Sequence, residues 1–135
     1  MKSHPNAVAY IGPGTQDAVS MTQIQRKTGK HYLVGACDLD PIALKGVQDG
    51  FVTALVSPEH WLKGYIALKL LADKAQKGKA LPKGWWNPGS LTIDKKNVAT
   101  IAARQKSNDT RYRYFKKEAD KQLANPQKYL KPFPG

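Results

Sequence analysis

The sequence predicts an α/β protein: a three-layer arrangement of a parallel sheet with flanking helices. Three observations carry this. Short apolar runs alternate with helix-length amphipathic stretches along the first 77 residues. The runs are nearly continuous in apolar residues, as strands of a parallel sheet covered on both faces require. Helix starts carry capping residues, and glycines follow the helix ends.

AVAYIG at 7–12 stops at Gly-Pro-Gly and reads as a buried strand. Residues 15–28 read as a helix with Thr15 as N-cap, Asp17 in the first turn and Gly29 beyond the end. Ala18, Met21 and Gln25, with Val19 and Ile24 alongside, form its inner face. HYLVGAC at 31–37 is the second strand. Asp40-Pro41 opens the second helix, since proline suits the first helical position and aspartate the cap. VTALVS at 52–57 is the third strand, and Ser57-Pro58 repeats the signature before a long helix over 58–77. There Trp61, Tyr65, Leu68 and Ala72 recur at helical spacing, widened by Leu62, Ile66 and Leu70. KGKALPKGWWNPG at 77–89 reads as a connector and SLTID at 90–94 as a strand. Residues 109–124 form an amphipathic helix with Tyr112, Phe115, Ala119 and Leu123 on one face. The proline-rich end, NPQKYLKPFPG, is expected to lie extended.

Typical sheets hold ~4–6 strands. Three strong strands and a weaker fourth fall at the low end, and a first strand beginning at residue 7 leaves an apolar edge open. On physical grounds the chain reads as the tail end of a larger α/β protein.

The chain has 135 residues and a net charge of +12, enough for one domain. Residues 104–135 hold nine of the 22 Lys/Arg and three of the ten Asp/Glu, so the tail carries half of the excess. Such charge favours phosphate and acidic lipid without naming either as the partner. No apolar run approaches the ~20 residues of a membrane span. The N-terminus has no apolar segment of signal-peptide type. Cys37 is alone, so no internal disulfide forms.

Several chemistries are disfavoured. Asp38 and Asp40 are followed by Pro41 and Ile42, which removes a calcium loop. His4, His31 and His60 lack zinc spacing with each other or with Cys37. In GPGTQD, Asp17 stands where a dinucleotide loop wants glycine or alanine and would repel a pyrophosphate. No serine-nucleophile motif accompanies Lys27-Thr28-Gly29, and Cys37 lies in an apolar strand. No cofactor or metal is expected, and the reading is of a non-enzyme. RYRYFKK at 111–117 mixes cations and aromatics as nucleic-acid surfaces do, so a small basic α/β nucleic-acid-binding protein is the alternative function. The three-residue spacing of Tyr112 and Phe115 instead turns these rings to the core, which makes nucleic acid the weaker partner.

Ligands of open α/β sheets bind beyond the carboxyl ends of the strands. Three such ends share one sheet edge: Gly12–Thr15, Asp38–Asp40 and Ser57–Glu59. Asp40 is occupied as a helix cap. Asp38 either accepts hydroxyl hydrogen bonds from a polyol or serves locally, as a second cap or a lysine partner.

The pieces HPNAVAYIG, a helix ending KTG, LVGACDLDPIALKGVQDGFVTALVS, the Gly64-Tyr65 step, and KGKALPKGWW before SLTIDKKN together resemble the C-terminal half of a type I periplasmic sugar-binding protein, the solute-binding component of an ABC importer. The resemblance spans about residues 4–97. It implies a partial periplasmic-binding-protein fold and a small sugar-like ligand. It also implies an ABC permease as partner and a periplasmic location for the full-length form. Asp38 matches the aspartate that binds sugar hydroxyls in that family. The place where the family has Asn-Asp falls near Gly14-Thr15, which makes Thr15 and Gln16 candidate ligand contacts, and Ser57 and Glu59 flank the place of its glutamine near Pro58. Residues 1–57 would then belong to the C-terminal lobe and 58–89 to a helix of the N-terminal lobe plus connector. Residues 90–135 would form a return strand with the C-terminal helix and tail. The rest of the N-terminal lobe is not in this sequence, so the isolated chain is expected to bind sugar poorly.

Overall fold

A computed structural model describes His4 and residues 6–133. Residues 1–3, Pro5, Pro134 and Gly135, which include parts of the N-terminus and of the tail expected to be extended, lie outside the described residues. The chain folds into two compact units. Unit 1 takes the chain to Pro58 and then Ser90–Lys106, and unit 2 takes Glu59–Gly89 and the chain from Ser107.

Unit 1 holds β1 (Ala9–Ile11), α1 (Thr15–Thr28), β2 (Leu33–Cys37), α2 (Pro41–Asp49) and β3 (Ala54–Ser57). After the excursion through unit 2 come β5 (Leu91–Ile93) and α4 (Val98–Gln105). The sheet order is β1-β2-β3-β5. Ala9 pairs with Leu33 and Gly35 with Ala54 in parallel, whereas Leu55 pairs with Ile93 in antiparallel sense. The α/β class and the parallel sheet are as expected, with one antiparallel edge strand added where SLTID returns.

Side-chain alternation shows which face is covered. Val34, Ala36, Leu55 and Ile93 point into a core with Ala18 and Met21 of α1, Ala43, Leu44 and Val47 of α2, and Val98 and Ile101 of α4. Sequential strands joined by right-handed crossovers place α1 and α2 on this same face. The opposite face carries Ile11, 90% exposed, Leu33, 59% exposed, and Val56. The expectation that AVAYIG is a buried strand therefore fails for its outward residues. No described helix of unit 1 lies over them.

Unit 2 holds α3 (His60–Lys77), β4 (Trp85–Trp86), α5 (Asn108–Ala124), α6 (Pro126–Tyr129) and β6 (Leu130–Lys131). Leu62 and Ile66 of α3 pack on Phe115 and Ala119 of α5, with Tyr65, Leu70, Trp86 and Leu123 around them. Trp85 and Trp86 pair antiparallel with Lys131 and Leu130. The tail expected to be extended thus contains one helical turn and a short strand. Tyr112 leaves the predicted inner face. It is 45% exposed, its ring edge against Trp61 and Tyr65.

Candidate functional site

The strand tips of unit 1 are built by their helix starts. Asp40 caps α2, its carboxylate accepting from the Ile42 N–H at 2.7 Å and the Ala43 N–H at 3.4 Å, with Pro41 first in the helix. Two orphan donors are satisfied without a ligand. The cap of α1 differs from the expectation. Gly14 is the N-cap and Thr15 the first helical residue. Asp17, three residues on, accepts from the Gly14 N–H at 2.9 Å. Its carboxyl sits where a Cβ on Gly12 would lie only 2.2 Å away, so the β1–α1 turn admits only glycine there.

Because Asp17 does the capping, the Thr15 hydroxyl is released for another contact. It donates to the Asp38 carboxylate at 2.7 Å, across 23 residues of sequence. Two predicted site residues are thereby joined. Asp38 sits just past β2 with its N–H on the Val56 carbonyl at 3.0 Å. Its φ of 73° is left-handed, a region that aspartate enters more readily than most residues and that recurs at ligand sites. This backbone turn separates the roles of the two aspartates.

The other candidates are placed less alike. Gln16 is exposed at the start of α1. Ser57 is buried and ends β3, paired with Leu91. It is consumed by the sheet, which is why the Ser57-Pro58 signature does not start α3. That helix begins at His60 after Glu59, which is buried, belongs to unit 2 and has φ 52°. Asp38 and Glu59 are the two non-glycine residues with positive φ among the described residues. Sequence reading gave Asp17 only a helix-dipole role. The signal for its cap was an acid three residues after Gly14.

The rival surface is spent largely on structure. Phe115 of RYRYFKK is buried. Arg113 pairs with Asp109 at 3.0 Å and Lys116 with Asp120 at 2.6 Å. Among the described residues no three of His, Cys, Asp and Glu gather as a metal site, and no helix is long and apolar enough to cross a membrane.

Parallel strands whose tips gather polar side chains, in a chain that leaves the sheet after β3 and returns to it as β5, define a partial periplasmic-binding-protein fold. Among the solved structures that it matches, two are named as a sugar-binding and a solute-binding protein. GanP, a glucose-galactose binding protein from Geobacillus stearothermophilus, is 26% identical with a TM-score of 0.63, over 71% of this chain and 34% of that one. An ABC transporter solute binding protein from Burkholderia graminis, solved with D-arabinose, is 23% identical with a TM-score of 0.65, over 73% and 36%. A Mycobacterium smegmatis structure at 17% identity and TM-score 0.61 aligns over 87% of this chain and 40% of its own. Both proteins named by function are binding proteins. No family model matches the sequence, and no curated protein does. The chain spans 34–40% of the length of these three structures.

Proposed function

We propose that this chain supplies one wall of a cleft for a small sugar or similar polyol, as part of an extracytoplasmic solute-binding protein serving an ABC permease. The observation that carries the reading is the Thr15–Asp38 hydrogen bond, which holds a carboxylate at the sheet edge where such folds receive ligand. A carboxylate accepts several hydroxyls at once, and hydrogen bonds to a charged group are the stronger kind. Gln16, Ser57 and Glu59 are secondary candidates. Two similar structures, a glucose-galactose binding protein and a solute binding protein in complex with D-arabinose, support a monosaccharide-sized ligand.

The opposite wall comes from the missing remainder of the N-terminal lobe. Two apolar faces support this reading. One is the open side of the sheet at Ile11, Leu33 and Val56. The other is a stripe on α3 formed by Gly64, Leu68 and Leu71 at helical spacing, with Leu68 69% exposed. The chain division at Pro58/Glu59 and Gly89/Ser90 supports assigning residues 1–57 to one lobe and 58–89 to the other.

Calorimetry with D-glucose, D-galactose and D-arabinose tests the proposal, on this chain and on a longer form that adds the opposite lobe. The longer form is expected to bind one of them, and the chain alone more weakly than ~1 mM, where less than about 4 kcal/mol of binding energy remains. In the longer form, Asp38→Ala is expected to remove ~1.5–3 kcal/mol of binding. An Asp38→Ala protein that binds as tightly as its parent would sink the site.

A further inference from the structure

Unit 2 contains a cavity of about 620 Å³ that the proposed cleft does not use. Sites for small organic ligands run ~300–1,000 Å³. Leu70 of α3, Leu123 of α5, Trp86 of β4 and Leu81 of the connector give it apolar walls. Trp86 is fixed in place: its indole N–H donates to Gln122 at 2.9 Å, and its ring lies 5° from parallel with Tyr129 at 6.2 Å. Gly84, at φ 129°, lets β6 close on β4, since a Cβ there would lie 2.4 Å from the Lys131 carbonyl oxygen.

The rim is charged and unbalanced. Asp73 accepts from Lys69 at 2.6 Å and Lys77 at 3.0 Å, with the Lys79 ammonium 3.8 Å away. Asp120 accepts from Lys116 at 2.6 Å. Lys69, Lys79, Asp73 and Asp120 line the cavity, and Lys77 and Lys116 reach the two carboxylates from outside the lining, so four lysines share two carboxylates. The hydrogen bonds from Lys69 and then Lys77 pull the Asp73 pKa down to about 2, so it stays ionised and committed to them. The surplus around the rim is positive. Lys79 has the longest contact and a side chain 65% exposed, so it is the cation that redirects at least cost.

The geometry points to this cavity as a binding site for a small amphipathic anion, its apolar body against the leucine and tryptophan walls and its single carboxylate received by Lys79. The site is separate from the proposed lobe contact. Lys69, Leu70 and Asp73 lie on the side of α3 opposite to Gly64, Leu68 and Leu71 by helical phase, so covering that stripe leaves the cavity open.

The probe is decanoate, with decanol as its uncharged counterpart, followed by amide and indole NMR shifts on the 135-residue protein. Saturable shifts are expected at the Trp86 indole and the amides of Ala80, Leu81 and Ala124. Decanoate should bind about tenfold more tightly than decanol at low salt, an advantage that shrinks as salt screens the rim. Ala124→Trp, which fills the cavity from an exposed position, should abolish binding of both. Lys79→Glu should weaken decanoate alone. Shifts confined to the sheet face around Ile11 and Leu33 overturn the site, as does undiminished binding by Ala124→Trp with a dispersed spectrum. Equal affinity for decanoate and decanol overturns the anionic ligand. Should Ala124→Trp unfold unit 2, Leu81→Lys serves as the second cavity variant, with the same outcomes.

Discussion

Each unit is locked by a buried glutamine, and the two locks teach different things. In unit 1, Gln25 of α1 donates to the Phe51 carbonyl at 2.5 Å and accepts from the Tyr32 N–H at 2.7 Å. In unit 2, Gln122 of α5 accepts from the Trp86 indole at 2.9 Å and donates to the Pro88 carbonyl at 3.1 Å. Both are 1% exposed. Gln25 ties a helix to segments 7 and 26 residues away, within successive β/α units. Gln122 reaches 36 and 34 residues back, so unit 2 closes only when the end of the chain meets its middle. The cores differ in the same direction. Twelve buried residues form that of unit 1 and four that of unit 2. Unit 2 is therefore the weaker unit, held by fewer side chains at greater separation.

The largest expected effects test this directly. Phe115→Ala should cost ~3–5 kcal/mol and Leu55→Ala ~2–5 kcal/mol, the usual range for truncating buried side chains. Hydrogen exchange separates the two. Phe115→Ala should release the amides of α3 and α5 while β2 and β3 stay protected. Leu55→Ala should expose the sheet. If either variant released both units at once, they would be one cooperative body and the comparison would fail.

The glutamines themselves come next. Gln122→Leu strands the Trp86 N–H and Pro88 carbonyl, and Gln25→Leu strands the Phe51 carbonyl and Tyr32 N–H. Each should cost ~1–3 kcal/mol in urea unfolding, the penalty of an unpaired buried polar group. A neutral Gln122→Leu would show that the closure of β4 on α5 rests on packing alone.

The same contrast explains what could be read in the sequence. Unit 1 was largely legible because local signals agree there. Pro41–Asp49 begins and ends where Asp40 and Gly50 put it, and Thr15–Thr28 ends where Gly29 puts it. Its errors are local too, since Thr15 lost the cap to a glycine because Asp17 reached it first. The tips were legible as a place, and the Thr15–Asp38 bond was not, because nothing in local spacing announces a contact over 23 residues. Unit 2 resisted for the same reason. Trp85-Trp86 sits inside a Gly- and Pro-rich connector and becomes a strand only through Leu130 and Lys131. Helix α4 was missed: its eight residues supply only two apolar core contacts, Val98 and Ile101, too few to stand out as a period.

Smaller in effect is the division of labour between neighbouring aspartates in unit 1. Asp40→Ala removes a helix cap and should cost ~1 kcal/mol of stability. Ligand affinity, measured in the longer form, should be unchanged by it. Asp38→Ala should show the reverse weighting. A loss of affinity in Asp40→Ala equal to that in Asp38→Ala would mean that the tip acts as one carboxylate pair.

The smallest effect compares one acid from each unit. Asp49 of unit 1 is held below the ordinary 3.8 chiefly by a hydrogen bond from Lys45, with Arg26 also bonded to it at 2.5 Å. Asp73 of unit 2 is brought to about 2 by Lys69 and then Lys77. A carboxyl whose folded value is depressed favours the folded state above its unfolded value and loses that contribution as pH falls through the folded one. For Asp73 the window runs from near 3.8 down to about 2. Carboxyl NMR titration should therefore place its midpoint near 2. At ~1 M salt the midpoint should move up as the lysines are screened. Asp73→Asn should flatten the acid dependence of unit 2 in that window and leave unit 1 unchanged. An Asp73 that titrates at its ordinary value would mean that the lysines around it are not held, and the charge at the cavity mouth would then be diffuse.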